Sequence, residues 1–372
     1  MSIISVNVAI AELANETLKT SYGSNVTRRR HIFVAVKAAD GTTGYGEGSP
    51  LPHFSGERAQ EMKAVIEDVF GPVLVGLDPF ETERAQLALE KALPHHHASK
   101  AALMNALLDL QGKLVGRPAV ALMGGPLKNQ IPIAGAVGIE SRDVVVARVR
   151  DLWERGIRTF KFKIGADVHR DVDVIRMLRG EFPAELEIRA DANAGFTFPE
   201  AQQFLRAVAD CRLQYLEQPL KPHDRKGMAR LREYGTRIAA DESLFGLEDA
   251  FELAAERAVD VLIIKLIKLG GLHQARKVVG VAEAAHIACV AVSPYETALG
   301  VAANLHLAAA STAFPFAAEL GVGVSSVKLD GSEDITVENG LALLPTTVGL
   351  GIGVPDSLFS AAPPIQSSGA VA

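Results

Sequence analysis

The chain has 372 residues, is 48% hydrophobic and carries a formal net charge of −6; that length allows one large core with a smaller domain attached, or two ordinary domains. Its mild, evenly spread acidity argues against nucleic acid or an anionic membrane surface as a partner. Two cysteines in apolar stretches, Cys211 and Cys289, make neither a disulfide framework nor a zinc site and suit a reducing cytoplasm, and no segment reads as a signal peptide or a membrane span.

The first elements expected are strands in IISVNVAIAEL, in RRRHIFVAVKAADG with a turn at Asp40-Gly41, and in TTGYGEGSP, which together form a meander. Helical periodicity follows in GERAQEMKAVIEDVFGPVL and in KAALMNALLDLQGKLVG, the latter closed by a glycine suited to a C-cap. Residues 1–125 are therefore read as an α+β domain. The run His95-His96-His97 at a helix start cannot turn three rings onto one ion and is read as surface.

From Ile131 the pattern changes to short apolar strands alternating with helices. Eight candidate strands are IPIAGAVG (131–138), TFKFKIG (159–165), EIRADANAG (187–195), QYLEQPL (214–220), RIAADES (237–243), VLIIKLIKLGG (261–271), ACVAVSP (288–294) and FPFAAELG (314–321). Eight regular βα units are better explained by a closed barrel than by an open sheet. The expected architecture is thus an α/β protein: a (β/α) TIM-type barrel over 126–322, capped by the N-terminal α+β domain. Residues 323–372 should return to that cap and end in a frayed tail.

Ionisable residues stand at the ends of five otherwise apolar strands: Lys161 and Lys163, Asp191, Glu217, Asp241 and Lys265. In such a barrel the C-terminal strand ends form the active-site face. The acids are 26 and 24 residues apart (191, 217, 241), about one βα unit each, so neighbouring strands would hold three carboxylates around one point. Like charges that close repel unless a cation sits between them. An all-oxygen set without histidine or cysteine suits Mg²⁺, with Mn²⁺ as a chemically similar substitute, and not zinc.

Lys161 and Lys163 are two apart on a strand and point the same way, into the barrel. A neighbouring ammonium and a dication would both lower a lysine's pKa, so Lys161 is expected to tune Lys163. Lys265 would reach the same centre from the opposite wall, and a carbon acid held between the two could lose a proton on one face and gain it on the other. Lys268, three residues on, reads as a loop or supporting residue.

Any one of these acids alone reads more simply as a helix N-cap; three on consecutive units flanked by lysines do not. The FKFK pattern would suit an edge strand, but it lies inside the alternating series. The glycines at 321–323 and 349–353 lack the strand and helix context of a dinucleotide site. A Schiff-base lyase using Lys163 or Lys265 and a catalytically silent scaffold stay open at this point.

The KxK of Lys161 to Lys163, DANAG at 191–195, EQP at 217–219, ADES at 240–243 and IKLIKLGG at 264–271 together resemble the muconate lactonizing subgroup of the enolase superfamily. The resemblance runs nearly the full length, since GEGSPLPHFSGE and the C-terminal return resemble that subgroup's capping domain. It implies that Asp191, Glu217 and Asp241 hold Mg²⁺, that Lys163 and Lys265 are the acid/base pair assisted by Lys161, and that Asn193 and Glu242 support the metal shell. It further implies an isomerase that takes the α-proton of a small carboxylate through an enediolate. That intermediate serves cycloisomerisation, racemisation or epimerisation, and elimination alike. Specificity would come from two capping loops, about Leu18 to Asn25 and Ser49 to Glu57, with Tyr22 and Phe54 as expected substrate contacts, and from Glu319 on the last strand. Dipeptide epimerases of the subgroup usually carry a DxD pair there. Ala318-Glu319-Leu320-Gly321 resembles the cycloisomerases instead, while the IKL around Lys265 resembles the epimerases. By analogy with the family, the chain is expected to form a homo-oligomer.

Overall fold

The computed structural model describes residues 1–16, 18–20, 23, 24, 27–321, 323 and 327–360. The expected Tyr22 contact and the frayed tail beyond 360 lie outside the described residues. The expected meander is a three-stranded antiparallel sheet, β1 (Ile3–Ala14), β2 (Arg28–Ala38) and β3 (Thr43–Gly48), with β2 in the middle. Glycine at every second position of β3 has a direct cause. A Cβ on Gly44 would stand 2.2 Å from the Ala106 carbonyl oxygen, and one on Gly46 would stand 2.0 Å from that of Ala102. The helix α1 (His97–Leu114) therefore lies with its backbone against the sheet, and Gly116, at φ 64°, turns the chain just past its end. His97 begins this helix, while His95 is exposed.

The barrel strands are β4 (Ala134–Val137), β5 (Thr159–Lys163), β6 (Glu187–Asp191), β7 (Tyr215–Glu217), β8 (Ile238–Ala240), β9 (Val261–Ile264) and β10 (Ala288–Ala291), each pairing in parallel with the next. The eighth segment differs from expectation. FPFAAELG forms no ladder and pairs only through single bridges at Ala318 and Glu319; Pro315 within it has no N–H to donate. Those two residues still close the ring. Ala318 donates to the Pro132 carbonyl at 2.7 Å and accepts from Ala134, while Glu319 donates to the Ala291 carbonyl at 2.9 Å and accepts from Ser293. The sixth strand is also shorter than its apolar run. After Ile264 the chain makes one helical turn, Leu266–Leu269, ended by Gly270 and Gly271 at φ 77° and 102°.

Alternation then sorts the side chains. Phe160, Phe162, Ile188, Leu216, Ile238 and Leu262 point outward into the layer between barrel and helices. Inward, one part of the barrel is filled by Ala239, Val261, Ile263, Val290 and Val292, packed with Tyr215. The strands β5 to β7 instead send charge into the interior. The C-terminal return pairs Leu341–Leu343 with Gln130–Pro132, and Leu350 then donates to the Asp109 carboxylate of α1 at 2.7 Å.

Candidate active site

Parallel register places Lys161 beside Arg189 and Arg189 beside Tyr215; one pleat nearer the strand ends, Lys163 lies beside Asp191 and Asp191 beside Glu217. The barrel mouth is thus built in two polar layers. Asp241 and Lys265 follow immediately after β8 and β9 and join the upper one. Asp191 and Glu217 are fully buried, Asp241 is 1% exposed and Lys161 is 6% exposed. These charges face one another rather than water.

Each acid is drawn onto ammonium groups. Lys163 Nζ donates to Asp191 Oδ2 at 2.5 Å and to Asn193 Oδ1 at 3.1 Å. Lys265 Nζ donates to Asp241 Oδ2 at 2.5 Å, and Lys268 Nζ to Asp241 Oδ1 and to its carbonyl, both at 2.7 Å. Lys161 Nζ reaches Glu217 at 3.3 and 3.4 Å and stands 3.5 Å from Asp191. Among the described residues no three acidic, histidine or cysteine groups are already gathered into a coordination sphere. Lys268 does not sit in an open loop; it is fully buried in the turn after β9, braced on Asp241.

The electrostatics follow from these contacts. Burial would lower Lys161, but Glu217, Glu319 and Asp191 together hold it well above the usual lysine range. Burial likewise opposes the charged form of Lys265, and Asp241 outweighs it. At Lys268 burial prevails over Asp241 and lowers the ammonium below the usual lysine range; Lys161 and Lys265 are raised instead, because each meets buried carboxylates. Burial is the largest influence on Glu217; with Asp191 beside it, it pushes that carboxyl well above the carboxylate range despite Lys161. Asp241 is held well below the usual range, burial notwithstanding, by Lys265 and Lys268. Glu217 meets one ammonium, Lys161, at 3.3 Å and otherwise stands beside the carboxylates of Asp191 and Asp241, and a cluster of buried carboxyl oxygens is a fitting environment for a hard dication.

Supporting residues fix this geometry. Asn193, at φ 45°, donates its side-chain amide to Glu242 at 3.2 Å and its backbone N–H to Asp191 at 2.9 Å. Phe54, on the helical turn Pro52–Ser55 of the cap, lays its ring 4.5 Å from Lys265 Nζ and packs against Phe245. Glu319 Oε1 accepts from Arg189 at 3.0 Å and from the Tyr215 hydroxyl at 2.9 Å, and its other oxygen pairs with Lys161. Sequence reasoning missed Arg189, Tyr215 and Gln218. The Gln218 amide ties together the ends of β7 and β8, accepting from Asp241 and Ser243 N–H at 3.0 and 3.1 Å. Arg189 and Tyr215 share the parity of Asp191 and Glu217, which was the available signal. A cavity of about 320 Å³ is lined by Lys161, Lys163, Lys265 and Glu319 together with Phe54 and Val137.

A parallel barrel with an α+β cap, and acids and lysines on its C-terminal rim, is the architecture of an isomerase of the enolase superfamily. The sequence agrees: residues 3–124 match the mandelate racemase/muconate lactonizing enzyme N-terminal domain, and residues 144–358 match the enolase C-terminal domain-like family. The chain belongs to this mandelate racemase/muconate lactonizing enzyme family. It is 31% identical to a chloromuconate cycloisomerase of Pseudomonas sp. (strain P51), over 95% of this chain and 96% of that one. It is also similar to a solved dipeptide epimerase from Enterococcus faecalis V583 complexed with Mg and the dipeptide L-Leu-L-Tyr. That likeness has a TM-score of 0.90 and 31% identity, covering 95% of this chain and 100% of the other. An N-succinyl Arg/Lys racemase from Bacillus cereus ATCC 14579 superposes with a TM-score of 0.93 at 25% identity, covering 98% of this chain and all of the other. Among the described residues, no helix is long and apolar enough to cross a membrane.

Proposed function

We propose that the protein is a Mg²⁺-dependent isomerase that removes the α-proton of a small carboxylate, with Asp191, Glu217 and Asp241 as the metal ligands. The single observation that carries the reading is the upper layer of the barrel: three buried acids with Lys163 and Lys265 standing at its two sides. When bound there, a dication supplies the positive charge that lets a carboxylate accept a second negative charge. Everything else is the work of the chain's own groups. Lys163 ends the second and Lys265 follows the sixth of eight barrel positions, hence they face each other across the mouth, and each can exchange a proton with one face of a carbon held between them. Asn193 and Lys268 hold Asp191 and Asp241 in place, and Phe54 keeps water from Lys265.

Two features favour cycloisomerase-like chemistry. The last segment carries Glu319 followed by Leu320 in place of an acid pair, and both Glu319 oxygens are engaged by Arg189, Tyr215 and Lys161, which leaves little there to grip a substrate ammonium. The lysine on each face supports a second reading, racemisation or epimerisation of N-acyl amino acids or dipeptides. Incubation in D₂O with Mg²⁺ and a panel of muconates, N-acyl amino acids and dipeptides separates them. Lactone formation supports the first reading, α-deuteration with inversion supports the second, and no exchange with any carboxylate defeats both. A Schiff-base lyase would be revealed by borohydride trapping on Lys163 or Lys265.

A further inference from the structure

The two amines that flank the mouth are held by different means. Lys163 ends β5 inside the ladder, where Phe162 pairs with Val137 on one side and Lys163 itself pairs with Asp191 on the other. Lys265 stands one residue past β9, beyond the last pair of its ladder, Ile264 with Ala291. It is followed by the single helical turn Leu266–Leu269 and by two glycines at positive φ. One isolated turn is too short to keep its own orientation, so its place comes from what it packs against.

Much of that packing belongs to the cap. Leu266 and Leu269 are buried in the barrel's apolar core, but Ile267, between Lys265 and Lys268, is fully buried in the core of the cap, with Leu103, Met104 and Leu107 of α1. Gly271 lies against the same helix: a Cβ there would stand 3.0 Å from Met104 Cβ and 3.3 Å from Ala101 Cα. The barrel helix that follows, Leu272–Ala284, has Gly271 at its N-cap and so no side chain of its own there to take up a free N–H. Asn105 of α1, 1% exposed, supplies the acceptor from the cap and takes the Leu272 N–H on Oδ1 at 2.9 Å.

We propose that Asn105 and Ile267 are positioning residues through which the cap sets the place of Lys265, so that one amine of the acid/base pair is aligned by the cap and the other by the barrel ladder. This rests on the reading of Lys265 as one member of that pair. Loosening the cap's grip then acts on one face of the substrate carbon and spares the other.

Asn105→Ala and Ile267→Ala test this, with Ile267→Val as the conservative variant that keeps most of the buried contact. The probes are the two enantiomers of an N-acyl amino acid, each incubated with Mg²⁺ in D₂O. The enantiomer whose α-proton exchange is lost in Lys265→Ala should exchange roughly 10-fold or more slowly in both alanine variants, as follows for a misplaced reacting group. Exchange with retention of the other enantiomer, which needs only Lys163, should stay within about 2-fold of wild type, and Ile267→Val should recover most of the loss. Equal slowing of both enantiomers would mean a general loss of structure and overturn the proposal, and so would wild-type rates for both. A second readout needs no turnover. Backbone amide exchange over residues 266–272 should quicken by roughly 5-fold in Asn105→Ala, the worth of one hydrogen bond, with β5 unchanged. Wild-type amide exchange at this turn in both alanine variants would overturn the proposal. A wild type that exchanges neither enantiomer counts against the acid/base pair and not against the clamp, which amide exchange then decides alone.

Discussion

Glu296 gives the sharpest prediction away from the reacting centre. It lies past β10 in the wall of the cavity, only 3% exposed, with one carboxyl oxygen accepting from Asn304 Nδ2 at 3.2 Å. Glu47, from the end of β3, is its neighbour, and that carboxylate is already occupied by His31 at 2.7 Å, by Thr297 Oγ1 at 2.6 Å and by the Gly300 N–H at 3.1 Å. Burial first, and then Glu47, push the Glu296 carboxyl from its ordinary 4.5 up to about 8. At neutral pH the folded protein therefore keeps a proton there that the unfolded chain releases. The sign follows from linkage: this stabilisation is complete below about 4.5, is lost as pH rises, and is gone above about 8. At about 1.4 kcal/mol per pH step, the loss is about 5 kcal/mol over the whole window, of which about 4 kcal/mol falls between pH 5 and 8. Glu296→Gln, which supplies a permanent neutral isostere, should remove it. Urea unfolding followed by the single tryptophan, Trp153, from pH 5 to 9 measures both proteins. Wild type should lose stability relative to Glu296→Gln by that amount as pH rises. Two curves separated by a constant offset would refute the reasoning, because Glu296 would then be ionised in the fold throughout.

Three other outcomes are expected. Lys163→Ala and Lys265→Ala should each lower α-proton exchange by roughly 10² to 10⁴-fold, with Mg²⁺ affinity measured by calorimetry nearly intact; equal exchange in wild type and both variants would contradict their role. Chelation should abolish turnover and added Mg²⁺ or Mn²⁺ restore it, while Glu217→Gln should bind the ion too weakly to be restored at the same concentration. Gly46→Ala places a methyl 2.0 Å from the Ala102 carbonyl oxygen and should cost about 3 kcal/mol by overpacking, seen as a fall in Tm of the cap; an unchanged Tm would show that α1 does not lie hard against the sheet.

Much of this architecture was legible because two periodicities carry it. The βα repeat fixed the seven ladder strands, and the two-residue alternation along β5 to β7 put Lys161, Lys163, Asp191 and Glu217 on one wall. Local pattern failed where closure decides. FPFAAELG has the composition of a strand, but only Ala318 and Glu319 find partners at the seam. The run VLIIKLIKLGG is apolar throughout, and tertiary packing turns its second half into a helical turn that buries Lys268 under Asp241. Arg189 was overlooked because one cation inside an apolar strand has no meaning until Glu319, 130 residues later, is brought against it. Nor does spacing reveal that the glycines of β3 mark the track of α1.

The central claim is the paired placement of three acids and two amines around one ion. Crystals soaked in Mn²⁺ and read by anomalous scattering test it directly. A single strong peak bonded to Asp191, Glu217 and Asp241, with Lys163 and Lys265 Nζ on opposite sides of the mouth, is expected. A peak held by other residues, or no peak at this rim, would contradict it.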